Sequence, residues 1–297
     1  MKPSPGPDDR PALTSQADAD AIAAKPSVDR AAMVTEWLAR TPARLAVGRS
    51  GGSYRTGTHL GLKADHAAAL DAVHAEFDLV RDLGEELVRR YELFEVQSQA
   101  ASKSQYLVRP DLGRLLSAAG EQQLRRRCRP QAELQILIGD GLSTAAVAAQ
   151  VPSLLPRLMD QAAAAGWQLG NPFAVRYCRV GMLNAVGRVL RPEVTILLIG
   201  ERPGLATAES LSAYFAFRTA PGQTDADRNL ISNIHAAGVP IADAVPRILA
   251  LATQLKIQQR SGTQIKEQLA ERSWLPSAVP TVTSPMREAL PEPPASE

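Results

Sequence analysis

The period of apolar positions changes along this chain, and each change predicts a different element. Ser27 and Asp29 precede the run Ala31 to Arg40, which reads as a short capped helix. The Thr41-Pro42 pair ends it, because the residue before a proline is pushed out of the helical region. Leu70, Val73, Phe77, Val80, Leu83 and Leu87 then recur at three- and four-residue spacing. That spacing predicts one long helix from His66 to about Tyr91, capped by Asp65, with one face in the core. A further helix, capped by Asp111, is predicted through Leu115, Leu116 and Leu124 to Arg125-Arg126-Arg127. A basic run in a last turn complements the helix dipole and faces water; the competing reading is a polyanion site.

Past residue 130 the pattern shortens. Leu134-Gln135-Ile136-Leu137-Ile138 and Val194-Thr195-Ile196-Leu197-Leu198-Ile199 are nearly continuous apolar runs, as expected of strands covered on both faces, and Phe173 to Tyr177 is a weaker third. Helical stretches separate or follow them: Ser143 to about Gly166, Met182 to Leu190, and Ile241 to Gln259. The alternation predicts an α/β fold with a doubly wound, mostly parallel, Rossmann-like sheet preceded by an N-terminal helical segment. Five of the 22 prolines fall in residues 1–30 and six in 275–297, among Ser, Ala, Asp and Glu. Such segments bury too little apolar surface to offset their ordering entropy. The expected organisation is a disordered tail over 1–30, a helical segment over 31–108, an α/β domain over 109–262 and a Pro-rich tail over 263–297.

Composition narrows the function classes. With 297 residues, 45% of them hydrophobic, 22% charged and 4% aromatic, the chain is neither collagenous nor wholly disordered. A net charge of +2, with both signs interspersed, gives no sign of nucleic acid as a partner. Apolar runs fall far short of the roughly 20 residues that span a bilayer, and the polar N-terminus has no signal-peptide core. No membrane association and a cytoplasmic location are expected. Cys128 and Cys178 lie far apart without metal-ligand spacing and read as two reduced thiols.

Ligands of open α/β sheets bind beyond the carboxyl ends of the strands. Three Gly-containing loops fall there: Gly139-Asp140-Gly141-Leu142-Ser143, Cys178-Arg179-Val180-Gly181 and Gly200-Glu201-Arg202-Pro203-Gly204. The first lacks the third glycine of a dinucleotide fingerprint and puts an acid where a diphosphate would lie. His59, His66, His74 and His235 are the only histidines, and no third ligand completes a metal set with His66 and His74. No nucleophile elbow is present. The chain lacks a catalytic acid–base constellation of its own. Residues 224–235 mix amides, acids and hydroxyls with Leu230, Ile231 and Ile234, and read either as a capped loop or as a surface for a large ligand.

At these residues the sequence resembles the light (small) chain of ethanolamine ammonia-lyase. The matching stretches are Leu107 to Arg114, Asp140 to Ser143, Arg176 to Val180, Leu198 to Leu205, Glu209 to Tyr214 and Asp227 to His235, with Thr41-Pro42-Ala43-Arg44 and Asp65-His66 also similar. The likeness covers about 41–262. It implies a non-catalytic subunit of an adenosylcobalamin-dependent lyase that converts ethanolamine into acetaldehyde and ammonia. The implied partner is a large (heavy) catalytic subunit in a higher heteromeric oligomer, with the light chain closing over the cobalamin from the other side. Val180, Glu201 and Leu230 fall on the family's cofactor-contacting positions. A corrin is a wide apolar disc fringed with amides, so Val180 and Leu230 suit its faces and Glu201 its amide N–H groups. Arg202, beside Glu201, is expected to orient that carboxylate. None of the four histidines has Asp two residues before it, and the resemblance implies that dimethylbenzimidazole stays on cobalt.

Two departures stand out. Position 230 is Leu where family members can carry Cys. Ala17 to Ala24 is too short and acidic to serve as the amphipathic helix that leads some members into microcompartments, so free cytoplasm and encapsulation both stay open. The competing functional reading is a self-sufficient nucleotide-binding α/β enzyme with Asp140 and Glu201 as working carboxylates.

Overall fold

A computed structural model describes residues 30–40, 47–204, 206–219 and 222–268. The caps at Ser27 and Asp29, the stop at Thr41-Pro42, the 17–24 segment and most of both Pro-rich tails lie outside the described residues.

The chain opens with α1 (Arg30–Arg40), a minimal hairpin of β1 (Arg49–Ser50) and β2 (Ser53–Tyr54), and α2 (Thr56–His74). None of the residues of α2 is buried. Next come α3 (Leu79–Leu83), α4 (Glu85–Arg90), β3 (Glu95–Gln97), α5 (Lys103–Val108), a 3-10 turn (Leu112–Arg114) and α6 (Ala118–Arg127). The expected single helix from His66 to Tyr91 is therefore three helices. Asp65 sits inside α2, while Asp78 caps α3 by accepting from the Val80 and Arg81 amides, and Gly84, at φ 85°, separates α3 from α4. The apolar repeat survives the breaks only in part: Phe77, Leu83 and Leu87 are buried, whereas Leu70 and Val80 are exposed. The helix expected from Asp111 likewise starts later, at a Ser117 cap whose hydroxyl accepts from Gly120 N.

The rest of the chain runs β4 (Leu134–Gly139), α7 (Thr144–Ala164), β5 (Phe173–Arg176), α8 (Met182–Leu190), β6 (Val194–Gly200), β7 (Leu211–Phe217), a 3-10 turn (Asp225–Asp227), β8 (Asn229–Ile234) and α9 (Ile241–Gln258). Six strands form one sheet in the order β3-β5-β4-β6-β7-β8. The first three pairings are parallel, but β6–β7 and β7–β8 are antiparallel, so the sheet is mixed and the expected mostly parallel, Rossmann-like arrangement is corrected. The reason is connection length. A parallel return needs a crossover of a dozen or more residues, and residues 201–210 are too few for one. Strand β3, from the segment before residue 109, is one edge of this sheet and β8 is the other. Past residue 262 the chain still packs, with Ile265 buried and Glu267 paired with Arg247.

Side chains alternate between two cores. Val194, Ile196 and Leu198 of β6 meet α7 and α9 on one face, with Phe77, Leu83 and Leu87 at its margin. Leu197 and Ile199 meet α8 and the α6 residue Leu124 on the other. The second face is not covered to its end, since Leu230 on β8 stays 45% exposed.

Candidate functional site

The strand-end rim is held together by one buried carboxylate. Asp140, 1% exposed, accepts hydrogen bonds from Tyr177 N and Cys178 N, both at 2.8 Å, and so fixes the turn by which β5 leads to Arg179 and Val180. Burial pushes its pKa up to about 6, against the opposing pull of Lys103 and the backbone amides. With both oxygens engaged and solvent excluded, Asp140 is a structural clamp, not an accessible working carboxylate. Gly141, at φ 60°, lies so close to β6 that a Cβ would stand 2.2 Å from Gly200 O, and the next amide, Leu142 N, donates to that oxygen at 3.1 Å. The three loops expected to converge do so.

Glu201 follows Gly200 and is half-buried. Its Oε2 accepts from Ser210 Oγ at 2.7 Å, and its Oε1 accepts from Ser212 Oγ and, at 3.0 Å, from Asn233 N. Burial alone would raise its pKa, but the Asn233 amide and the Ser212 and Ser210 hydroxyls outweigh it and hold the group below the usual carboxylate range, with His235 adding a smaller pull. Glu201 therefore keeps its negative charge at neutral pH. A carboxylate has about four acceptor positions, so three donors leave room for another on Oε2. The expected orienting role of Arg202 is corrected: Arg202 is exposed, and among the described residues no ion pair joins it to Glu201.

The third donor depends on a β-bulge. Leu211 faces Ile234 and Ala213 faces Ile231, so β8 spends one more residue than β7 over this interval. Asn233 takes up the irregularity at φ 62°, and its N–H turns toward Glu201. Its side-chain Oδ1 lies 2.7 Å from Nε2 of the buried His235, and Gly238 packs so closely that a Cβ there would meet Asn233 O at 2.3 Å.

Val180, Glu201 and Leu230 line one concavity of about 240 Å³, with Leu142, Ile199, Ser212, Tyr214, Ser232, Arg179 and Arg202 among its other walls. Tyr214 on β7 faces Leu230 on β8, placing an aromatic and an aliphatic side chain together on the uncovered strip. Ser210, Ser212, Asn233 and Tyr214 fall within the stretches that carry the family resemblance, but nothing along the chain singles them out as site residues. The segment left open between loop and ligand surface is strand β8 from residue 229. His59, His66 and His74 lie exposed along α2, away from these walls. A wider groove of about 680 Å³ runs between α8 and residues 222–228, where Arg188 is paired with Glu121 and Arg228 with Asp225.

Fold and site together define an α/β protein with a shallow, open concavity: aliphatic walls, one oriented carboxylate and, among the described residues, no acid–base pair around them. Known sequences carry this further. The profile of the ethanolamine ammonia-lyase light chain (EutC) matches residues 31–266. An ethanolamine ammonia-lyase small subunit of Bradyrhizobium diazoefficiens is 42% identical over 234 residues, covering 78% of this chain and 90% of the relative. Small subunits from Clostridium perfringens, 40% identical over 231 residues and covering 78% of this chain and 76% of the relative, and from Clostridium acetobutylicum, 36% over 233 residues and covering 78% and 94%, are similar too. The chain belongs to the ethanolamine ammonia-lyase light chain family. Among the described residues no helix is long and apolar enough to cross a membrane.

Proposed function

We propose that this chain is the non-catalytic half of an adenosylcobalamin-dependent ethanolamine ammonia-lyase, seated over the cofactor that a large catalytic subunit holds from the other side. The observation that carries the reading is the convergence of Val180, Glu201 and Leu230, from three separate segments, on one concavity. Its volume, about 240 Å³, lies below the roughly 300–1,000 Å³ of sites that enclose a small molecule, which suits a half-site completed by a second chain. Val180, Leu142, Leu230 and Tyr214 offer aliphatic and aromatic contact for the face of a corrin. Glu201 offers a fixed acceptor for one of its amide N–H groups.

When bound, adenosylcobalamin supplies the radical chemistry by which ethanolamine becomes acetaldehyde and ammonia. This chain's own residues bind, orient and exclude water. Ser210, Ser212 and the Asn233 amide keep the Glu201 carboxylate ionised and aimed, Asp140 fixes the turn that presents Val180, and Leu230 removes one stretch of the seat from solvent when the complex closes. The working location proposed is the cytoplasm, free or within a microcompartment.

The test is co-expression with a large subunit of the same enzyme and assay of ethanolamine deamination, with and without adenosylcobalamin and with each chain alone. Activity that requires both chains and the cofactor is expected. Turnover or nucleotide binding by this chain alone would overturn the reading.

A further inference from the structure

One cation on the wall of the concavity is built in a way that the aliphatic contacts and Glu201 do not account for. Arg179 lines the seat directly before Val180. Its guanidinium carbon lies 4.3 Å from the ring centroid of Tyr106, within the range of a cation–π contact. Tyr106 is fully buried and anchored by its own hydroxyl, which donates to Cys178 O at 2.8 Å. The arginine stem is seated too: Arg179 N donates to Gly113 O at 2.9 Å, and a Cβ at Gly113 would come within 2.7 Å of Arg179 Cγ. Among the described residues the buried Nε of Arg179 has no hydrogen-bond partner.

Among the described residues no salt bridge joins this guanidinium to a carboxylate. Asp140 is engaged by two backbone amides. Glu201, across the seat, is engaged by Ser210, Ser212 and Asn233. Lys103, 5% exposed, stands 5.5 Å from the same Tyr106 ring with an Nζ that has no hydrogen-bond partner among the described residues, its charge opposed by that of Asp140. A rigid guanidinium fork that is stacked, partly desolvated and unpaired suits bidentate recognition of a phosphate-type anion.

We propose that Arg179 is the anion-binding residue of this half-site and that its ligand is a phosphodiester, supplied by the nucleotide tail of the cobalamin. The proposal rests on the functional reading above and adds to it the residue that distinguishes a complete cobalamin from its truncated form. Tyr106 acts as the platform that holds the guanidinium in place before the ligand arrives, so little side-chain freedom is lost on binding.

The experiment is equilibrium binding to the assembled two-subunit complex, followed by the absorbance of the corrinoid, with cyanocobalamin and with dicyanocobinamide, which lacks the phosphodiester and its base. Arg179→Gln is expected to weaken cyanocobalamin about tenfold or more, the effect of losing one charge-assisted hydrogen bond, while dicyanocobinamide stays within about twofold. Arg179→Lys, which keeps the charge, is expected to recover part of the loss. Inorganic phosphate is expected to compete weakly with cyanocobalamin in the wild-type complex and not in Arg179→Gln; tight phosphate binding unaffected by cyanocobalamin would assign the site to free phosphate and overturn the proposal. Equal loss for both corrinoids, or loss for neither, would overturn it as well, and in the second case weakened binding by Glu201→Gln would show that the functional reading survives. A wild-type complex that binds neither corrinoid would remove both. Co-elution of the subunits shows for each variant that assembly is intact.

Discussion

The same strands present two faces that are finished differently. Toward α7 and α9, β7 and β8 contribute Leu211, Ala213, Phe215, Phe217, Ile231 and Ile234, all 5% exposed or less. Toward the other side the same two strands contribute Ser212, Tyr214, Leu230 and Ser232, which line the concavity, and of these Leu230 and Ser232 are exposed. A face meant to be sealed by its own chain is apolar throughout, because every unpartnered polar group in it would cost free energy. A face kept for a ligand interleaves apolar contacts with hydroxyls and a carboxylate, and tolerates water until the ligand arrives. On the proposed function, the difference separates stability from binding within a single pair of strands.

The comparison can be tested first where the effect is largest. Phe215→Ala removes a fully buried ring from the sealed face and should cost about 3–5 kcal/mol in chemical denaturation, the range for truncating a core aromatic. A loss below 1 kcal/mol would mean that this face is not the stabilising one. Next in size is the pH dependence of the rim. Asp140 ionises at about 6 in the fold against an ordinary 3.8, so between these values the folded chain holds a proton that the unfolded chain has lost. Stability should therefore fall as pH rises from about 4 through about 6, by up to roughly 3 kcal/mol. Asp140→Asn should flatten that slope in melts recorded across the window, and an unchanged slope would remove Asp140 as its source. Smallest for stability is Leu230→Ser on the open face, expected to shift unfolding by no more than about 0.5 kcal/mol because the side chain is already 45% exposed. The same substitution should weaken cobalamin capture by the complex about fivefold, as lost apolar contact. A large stability loss without a binding loss would invert the two roles.

The parts of this architecture legible along the chain are those set by local pattern. Strands β4 and β6 announce themselves because both their faces are buried and their apolar runs are unbroken, and α7, α8 and α9 because one stripe of each is apolar. Strand β7 is illegible along the chain because Ser212, Ala213 and Ala216 dilute its alternation, and β8 because Asn229, Ser232 and Asn233 resemble a loop. Both are strands by virtue of their neighbours, and with them goes the mixed character of the sheet. The setting of Glu201 is less legible still. Its donors come from nine, eleven and thirty-two positions away, and the third depends on a bulge that exists only once β8 is paired. Val180, Glu201 and Leu230 are identified as contacts by family resemblance: the strand-end rule brings the loops of Val180 and Glu201 together, but nothing along the chain brings Leu230 to them.

The central claim is that the open strip of this sheet is a cofactor seat while the sealed strip is not. The most direct measurement is the dissociation constant of adenosylcobalamin for the two-subunit complex carrying Val180→Ala, Glu201→Gln and Leu230→Ala together, compared with the wild type and with Phe215→Leu. The account predicts at least about a tenfold weakening for the triple variant, with subunit assembly and melting temperature close to wild type, and no change in affinity for Phe215→Leu. Wild-type affinity in the triple variant would contradict it.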